Sequence, residues 1–189
     1  MKKFSLIKYA SDINEVIKNL LVTDKKGDKL SINHGCDGFI ELVKKVKEDR
    51  KKIIIIANGG SVSTASHFQN DLVKACNVRA LIYSDQPLLT ALANDLGYEH
   101  IYDVPFKLWI DKDDLLIIIS SSGESKNLIN VSNYAQDKKI KIITLTGFKS
   151  DNYIRNQGDI NFYLDSCIYG IVENAHAIIT HFITDRIKD

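Results

Sequence analysis

His67 and Asp71 stand four positions apart in SHFQND, so on a helix they share one face. Glu173 and His181 pair a second carboxylate with a second imidazole in ENAHAIITH, near the C-terminus. Two such pairs from separate elements can hold zinc or pass protons between neighbouring atoms. Two other stretches could seat the molecule on which they act, IIIIANGGSVSTA at 53–65 and LIIISSSGESKN at 116–127. Each runs from an apolar segment into small residues and then into a helical pattern. Asn58, Gly59, Gly60 and Ser61 form the first turn; Ser120, Ser121, Ser122, Gly123 and Ser125 form the second. Glycine lets backbone N–H groups approach a ligand closely. Serines add hydroxyl donors, and a helix start adds unpaired N–H groups at the positive end of its dipole. That combination seats a phosphate or another anion without a lysine. A helix cap needs only one serine. Three in succession plus Ser125 exceed that need, which favours a ligand site. Neither stretch has the spacing GxxxxGK[ST] or GxGxxG, so no nucleotide cofactor is expected.

The elements that must position these residues follow from hydrophobic periodicity. Short apolar runs at 53–57, 80–84, 115–120, 142–146 and 160–164 are rich in β-branched residues. Apolar on both faces, they read as strands of a parallel sheet covered on both sides. Helical patterns separate them at 62–76, 87–96, 125–137 and about 150–156, and a last helix is predicted over 171–187. Helical spacing also covers 3–22 and 33–48, with TDKKGDK as the turn between them. Alternating strands and helices imply a doubly wound α/β fold, a mainly five-stranded parallel sheet flanked by helices. Residues 1–50 are expected to form N-terminal helices, and 51–189 the α/β core and C-terminal helix of one domain. In such sheets ligands bind at the carboxyl ends of strands, where both loops fall.

The chain has 189 residues, enough for a single domain with a sizeable core, and a formal net charge of +1. No basic excess calls for nucleic acid. The opening MKKFSLIKYASDINEVI is interrupted by charges and does not read as a signal peptide. No apolar run approaches a membrane span. Cys36, Cys76 and Cys167 are odd in number and share no CxxC spacing, which predicts reduced, buried thiols in a cytoplasmic protein. His34, His100 and His176 are expected to be structural. Tyr98, Tyr102, Phe106 and Trp109 are expected in the core or at a subunit contact, and the lysines of 43–52 on a solvated face.

SSSGESKN with the later IITLTG resembles the sugar isomerase (SIS) domain, a phosphosugar-binding fold. ANGGSVSTASHFQNDL, ANDLGYEHIYD and ENAHAIITHFI narrow this, being similar to bacterial phosphoheptose isomerases. The resemblance runs from about residue 30 to the end. It implies an aldose–ketose isomerase that converts sedoheptulose 7-phosphate to a D-glycero-D-manno-heptose 7-phosphate-type product through an enediol. It places catalytic roles on Asp71 and His181. It places a metal, zinc, on His67, Asp71, Glu173 and His181. Ser61, Ser120, Ser121, Ser122 and Ser125 fall on phosphate and sugar contacts, and Asn58, Asn94 and Asp95 on further sugar contacts. It also implies a homotetramer with its sites at subunit interfaces.

The chain departs from the family at four positions. Asp71 and Glu173 stand where the family has glutamate and glutamine, and Ala75 and Gly170 where it has arginine and aspartate. The phosphate seat is untouched, but a different phosphosugar becomes an open reading. A non-catalytic SIS protein, binding a phosphosugar or a partner such as the replication initiator, is the alternative. That branch lacks the carboxylate and the second helical histidine, whereas Asp71, Glu173 and His181 are all here. One geometric tension follows from spacing. Glu173 and His181 lie eight positions apart, ~12 Å along a straight helix, so one ion reaches both only if the helix bends or begins after Glu173, or if the two come from different subunits.

Overall fold

The structure is a computed structural model and describes residues 5–188. Its centre is a run of five parallel strands: β3 (Ile53–Ala57), β4 (Ala80–Ile82), β5 (Leu115–Ser120), β6 (Lys141–Thr146) and β7 (Ile160–Tyr163). Pleating sends alternate side chains to opposite faces. Ile53, Ile55 and Ala57 therefore join one apolar layer, and Ile54 and Ile56 the other. The first layer is covered by α2 (Ile32–Glu48), α3 (Ser61–Lys74) and α7 (Tyr169–Lys188). The second is covered by α5 (Asp103–Trp109) and α6 (Lys126–Asp137), with α4 (Gln86–Asp95) packed beside them. Both faces of β3 and β5 are covered, which explains why every residue of both strands is buried.

Strand order decides where a ligand can sit. With β1 (Leu21–Asp24) and β2 (Lys29–Leu30) at one edge, the sheet among the described residues runs β2-β1-β7-β6-β5-β3-β4. From β3 the chain crosses one face through α3 to the edge strand β4. From β5 it crosses the other face through α6 to β6. The winding reverses between β3 and β5, so their carboxyl ends flank a crevice. The two small-residue turns open at those ends.

The N-terminal region differs from the expected helix–turn–helix. Helix α1 spans Leu6–Lys18 and stops at Asn19; residues 3 and 4 of the expected helix lie outside the described residues. Leu21–Asp24 form β1, and the expected turn carries Thr23 and Asp24 of that strand and Lys29 of β2 (Lys29–Leu30). The hairpin adds two antiparallel strands to the parallel five, with Val22 opposite Phe162 of β7. Within β1 the exposed Leu21 alternates with the buried Val22. Docking on the edge of β7 converted a stretch that also fits a helical period. The helix expected near 150–156 is only a 3-10 turn, Ile154–Asn156. Cys167 is exposed, against expectation, while Cys36 and Cys76 are buried. Lys52 is buried rather than solvated, because its ammonium bridges Asp111 and Asp114 at 2.6 Å each. No described helix is long and apolar enough to cross a membrane.

Candidate active site

The two turns meet in a cleft of about 390 Å³, lined by Asn58, Gly59, Gly60, Ser61, Ser120, Ser121, Ser122, Ser125, Tyr169 and Glu173. Gly59 and Gly123 adopt φ of +55° and +66°, a left-handed backbone that a side chain disfavours. The serines divide by task. Ser120 Oγ accepts the Gly123 N–H at 3.0 Å and Ser122 Oγ accepts the Glu124 N–H at 3.4 Å, so both brace the loop itself. Ser121 Oγ is buried without a protein partner. Ser125 occupies the cap position of α6, yet its side chain makes no capping bond. Elsewhere Ser5, Ser31 and Asp85 do cap their helices through side chains. A cap therefore does not account for Ser125, and Ser121, which lines the cleft, keeps a buried hydroxyl with no partner in the protein, as a donor reserved for a ligand would.

The floor of the cleft is locked by amides. Asn58 and Asn127 exchange reciprocal side-chain hydrogen bonds of 2.9 Å, and the Tyr98 hydroxyl donates to Asn58 Oδ1 at 3.2 Å. Glu173 is the one acidic lining residue among those described. Its carboxylate approaches Gly60 so closely that a Cβ there would lie 2.6 Å from both oxygens. Tyr169 lies one helical turn before Glu173 and stacks edge-on against Phe148, with ring centroids 4.7 Å apart. Phe148 itself holds φ +58°, strained for a bulky residue, and its N–H donates to the Ser166 carbonyl.

His67, Asp71 and His181 meet where α3 packs on α7. His181 Nδ1 lies 3.3 Å and His67 Nε2 3.7 Å from Asp71 Oδ2, and the two rings are edge-to-face at 4.6 Å. The possible ligand atoms of all three fall within 4.8 Å of one another. Two imidazole nitrogens and one carboxylate oxygen suit zinc and leave a coordination position open. Glu173 is outside this group: α7 is continuous from Tyr169 to Lys188, and Glu173 stands ~12 Å along it from His181. Asn94 and Asp95 sit exposed at the end of α4, their side chains bonded to each other at 2.8 Å.

The other histidines separate cleanly. His176 is fully buried, and its Nε2 meets the Thr146 carbonyl at 3.4 Å. Burial pushes its pKa down to about 4, so the imidazole is neutral at pH 7, with Nε2 as donor. His100 pairs with Asp103 at 3.3 Å, and His34 is exposed. Tyr102 and Phe106 are core residues, whereas Tyr98 and Trp109 are exposed. Sequence reasoning missed Tyr169, Asn127 and the cleft role of Tyr98. For Tyr169 the available signal was its place four residues before Glu173 on one helix face. For Asn127 it was the first turn of α6.

The SIS domain family model matches residues 8–147. A phosphoheptose isomerase of Buchnera aphidicola subsp. Acyrthosiphon pisum is 31% identical over 176 residues, covering 90% of this chain and 88% of that one. A phosphoheptose isomerase of Helicobacter pylori is 28% identical over 186 residues, covering 92% and 96%. In fold, the solved phosphoheptose isomerase of Neisseria gonorrhoeae superimposes with a TM-score of 0.82 at 23% identity, covering 96% of this chain and 94% of that one. With the serine cleft at the sheet's switch point, these matches establish that the chain belongs to the SIS domain family, among its phosphoheptose isomerases.

Proposed function

We propose that the protein interconverts sedoheptulose 7-phosphate and a D-glycero-D-manno-heptose 7-phosphate-type aldose. The observation that carries this reading is the cleft of neutral donors, in which the hydroxyls of Ser121 and Ser125 are left over from all structural tasks. Such donors hold a phosphate while leaving ionisable groups free for proton transfer. Serines 61, 120, 121, 122 and 125 form the seat. Asn58, with Asn94 and Asp95, is assigned to the sugar.

The reaction moves one proton between adjacent carbons. A base removes the proton from C1 of the ketose, leaving an enediol. The same proton equivalent returns to C2, while the hydroxyl proton on O1 is lost and O2 gains one. We assign the carbon-bound proton to Asp71 and the oxygen-bound protons to His181, whose Nδ1 already contacts that carboxylate. His67 flanks both. These three residues would hold zinc, and zinc held there would polarise the substrate carbonyl.

The seat and this cluster are ~9 Å apart along α3, counted from Ser61 to His67, and ~12 Å apart along α7. A second copy that brings one chain's cluster to its partner's seat would close that gap and let Glu173 join the metal set. Apolar Leu6 and Ile7 on α1 and Ile178 and Phe182 on α7 are exposed and available to such a contact. On this reading the protein is a homo-oligomer with sites between subunits, a tetramer by its resemblance to the family, and works in the cytoplasm.

The test is proton exchange. The protein is incubated with sedoheptulose 7-phosphate in heavy water, with and without zinc, beside Asp71→Asn and His181→Ala. NMR is expected to show aldose signals and deuterium at the carbon beside the carbonyl, with both substitutions lowering the rate at least ~100-fold. Phosphosugar binding without exchange in the wild type would favour the non-catalytic alternative.

A further inference from the structure

Asn152 lies outside the cleft, in the segment between β6 and β7. It is fully buried, and both halves of its amide are used. Its Nδ2 donates to the carbonyls of Gly147 at 3.1 Å and Lys149 at 2.7 Å, and its Oδ1 accepts the Arg155 N–H at 3.0 Å. These bonds curl residues 147–155 into one fixed shape. That shape backs the serine loop. A Cβ on Gly123 would run into the Asn152 amide, so the loop is seated directly against it. The Ile154 N–H donates to the Gly123 carbonyl at 3.1 Å, and the Tyr153 N–H to Glu124 Oε1 at 3.0 Å. On the near side, the Gly147 N–H donates to the Ser121 carbonyl at 3.1 Å. Ser121, Gly123 and Glu124 are thus each held by the segment that Asn152 shapes. Ile154 anchors that segment in the core beneath α6.

We infer that Asn152 is a positioning residue for anion binding: it fixes, from behind the serine loop, where the Ser121 hydroxyl and the Gly123 backbone present themselves to the phosphate of the substrate. It touches no substrate. It replaces solvent reorganisation in the loop by prior fixation, so its contribution is to affinity for the phosphate end. This inference rests on the phosphate-seat reading above.

The experiment compares Asn152→Ala with wild type, using inorganic phosphate as the probe for binding and sedoheptulose 7-phosphate as the substrate. Asn152→Ser, a smaller change in polarity, is carried in parallel in case the alanine variant does not fold. Circular dichroism identifies the folded material. The expected result is a phosphate dissociation constant and a KM raised about tenfold, the effect of ~1.4 kcal/mol, with kcat within about threefold of wild type. A purely structural asparagine would lower the melting temperature while folded enzyme kept the wild-type KM and phosphate affinity, and that result overturns the inference. Failure of the wild type to bind phosphate at all would instead bring down the seat reading, and this inference with it.

Discussion

At the scale of single residues, the site depends on atoms that are absent as much as on those present. Gly60 has room for no Cβ, because the Glu173 carboxylate occupies that space at 2.6 Å. Glu173 is the end of a flexible side chain, so a methyl group at Gly60 would turn it aside rather than disrupt the core. Gly60→Ala is therefore expected to change unfolding free energy by no more than ~0.5 kcal/mol. The same substitution is expected to lower kcat/KM about tenfold, measured with the heptulose phosphate. Unchanged kcat/KM would mean that the carboxylate's place in the cleft is not used. His176 shows the opposite case, a chemically capable group withdrawn from chemistry by burial. Five residues separate it from His181, which is enough to turn it from the exposed face of α7 to the core.

Elements bring these residues together by their crossings. Helices α3 and α7 approach closely enough to place His67 and Asp71 beside His181, although more than a hundred residues separate them in sequence. The edge hairpin depends on a similar close approach. Gly35 of α2 lies against Val22 of β1, and a Cβ at Gly35 would overlap the valine side chain. Both positions are buried, so the crowding has little room to relax. Gly35→Ala is expected to destabilise the protein by ~1–3 kcal/mol in urea unfolding. Val22→Ala in the same chain is expected to recover part of that loss, since it removes the overlapping methyl groups. Simple additivity of the two substitutions would show that they do not share this contact.

For the whole molecule, the buried neutral imidazole of His176 links folding to pH. Its pKa is held down to about 4 by desolvation, against an ordinary value of 6.5. The unfolded chain therefore binds a proton between these two values while the native one does not. Stability from this residue is fully present above pH 6.5, falls as the pH drops through that window, and levels off below about 4. The loss is of order 3 kcal/mol. His176→Gln is expected to flatten this part of the curve, seen as a smaller difference between unfolding free energies at pH 7 and pH 4.5. An unchanged slope would assign the acid sensitivity to other groups.

Much of this protein is set by local order in the chain. Five β-branched runs with helices between them are enough for a doubly wound sheet, because burial on both faces leaves few other ways to cover such strands. The two small-residue turns were legible for a related reason: Gly59, Gly123 and a surplus of serines answer to backbone geometry and hydrogen bonding within a dozen residues. Helical spacing likewise put His67 beside Asp71 and kept Glu173 from His181. What the chain could not express locally was decided by tertiary contact. Leu21–Asp24 became a strand because the edge of β7 offered backbone partners that no window of sequence contains. The meeting of His181 with Asp71 required two helices to pack, and the roles of Tyr169 and Asn127 required two strand ends to face one cleft. Periodicity reports which face of an element is apolar; only the folded chain determines which other element covers it.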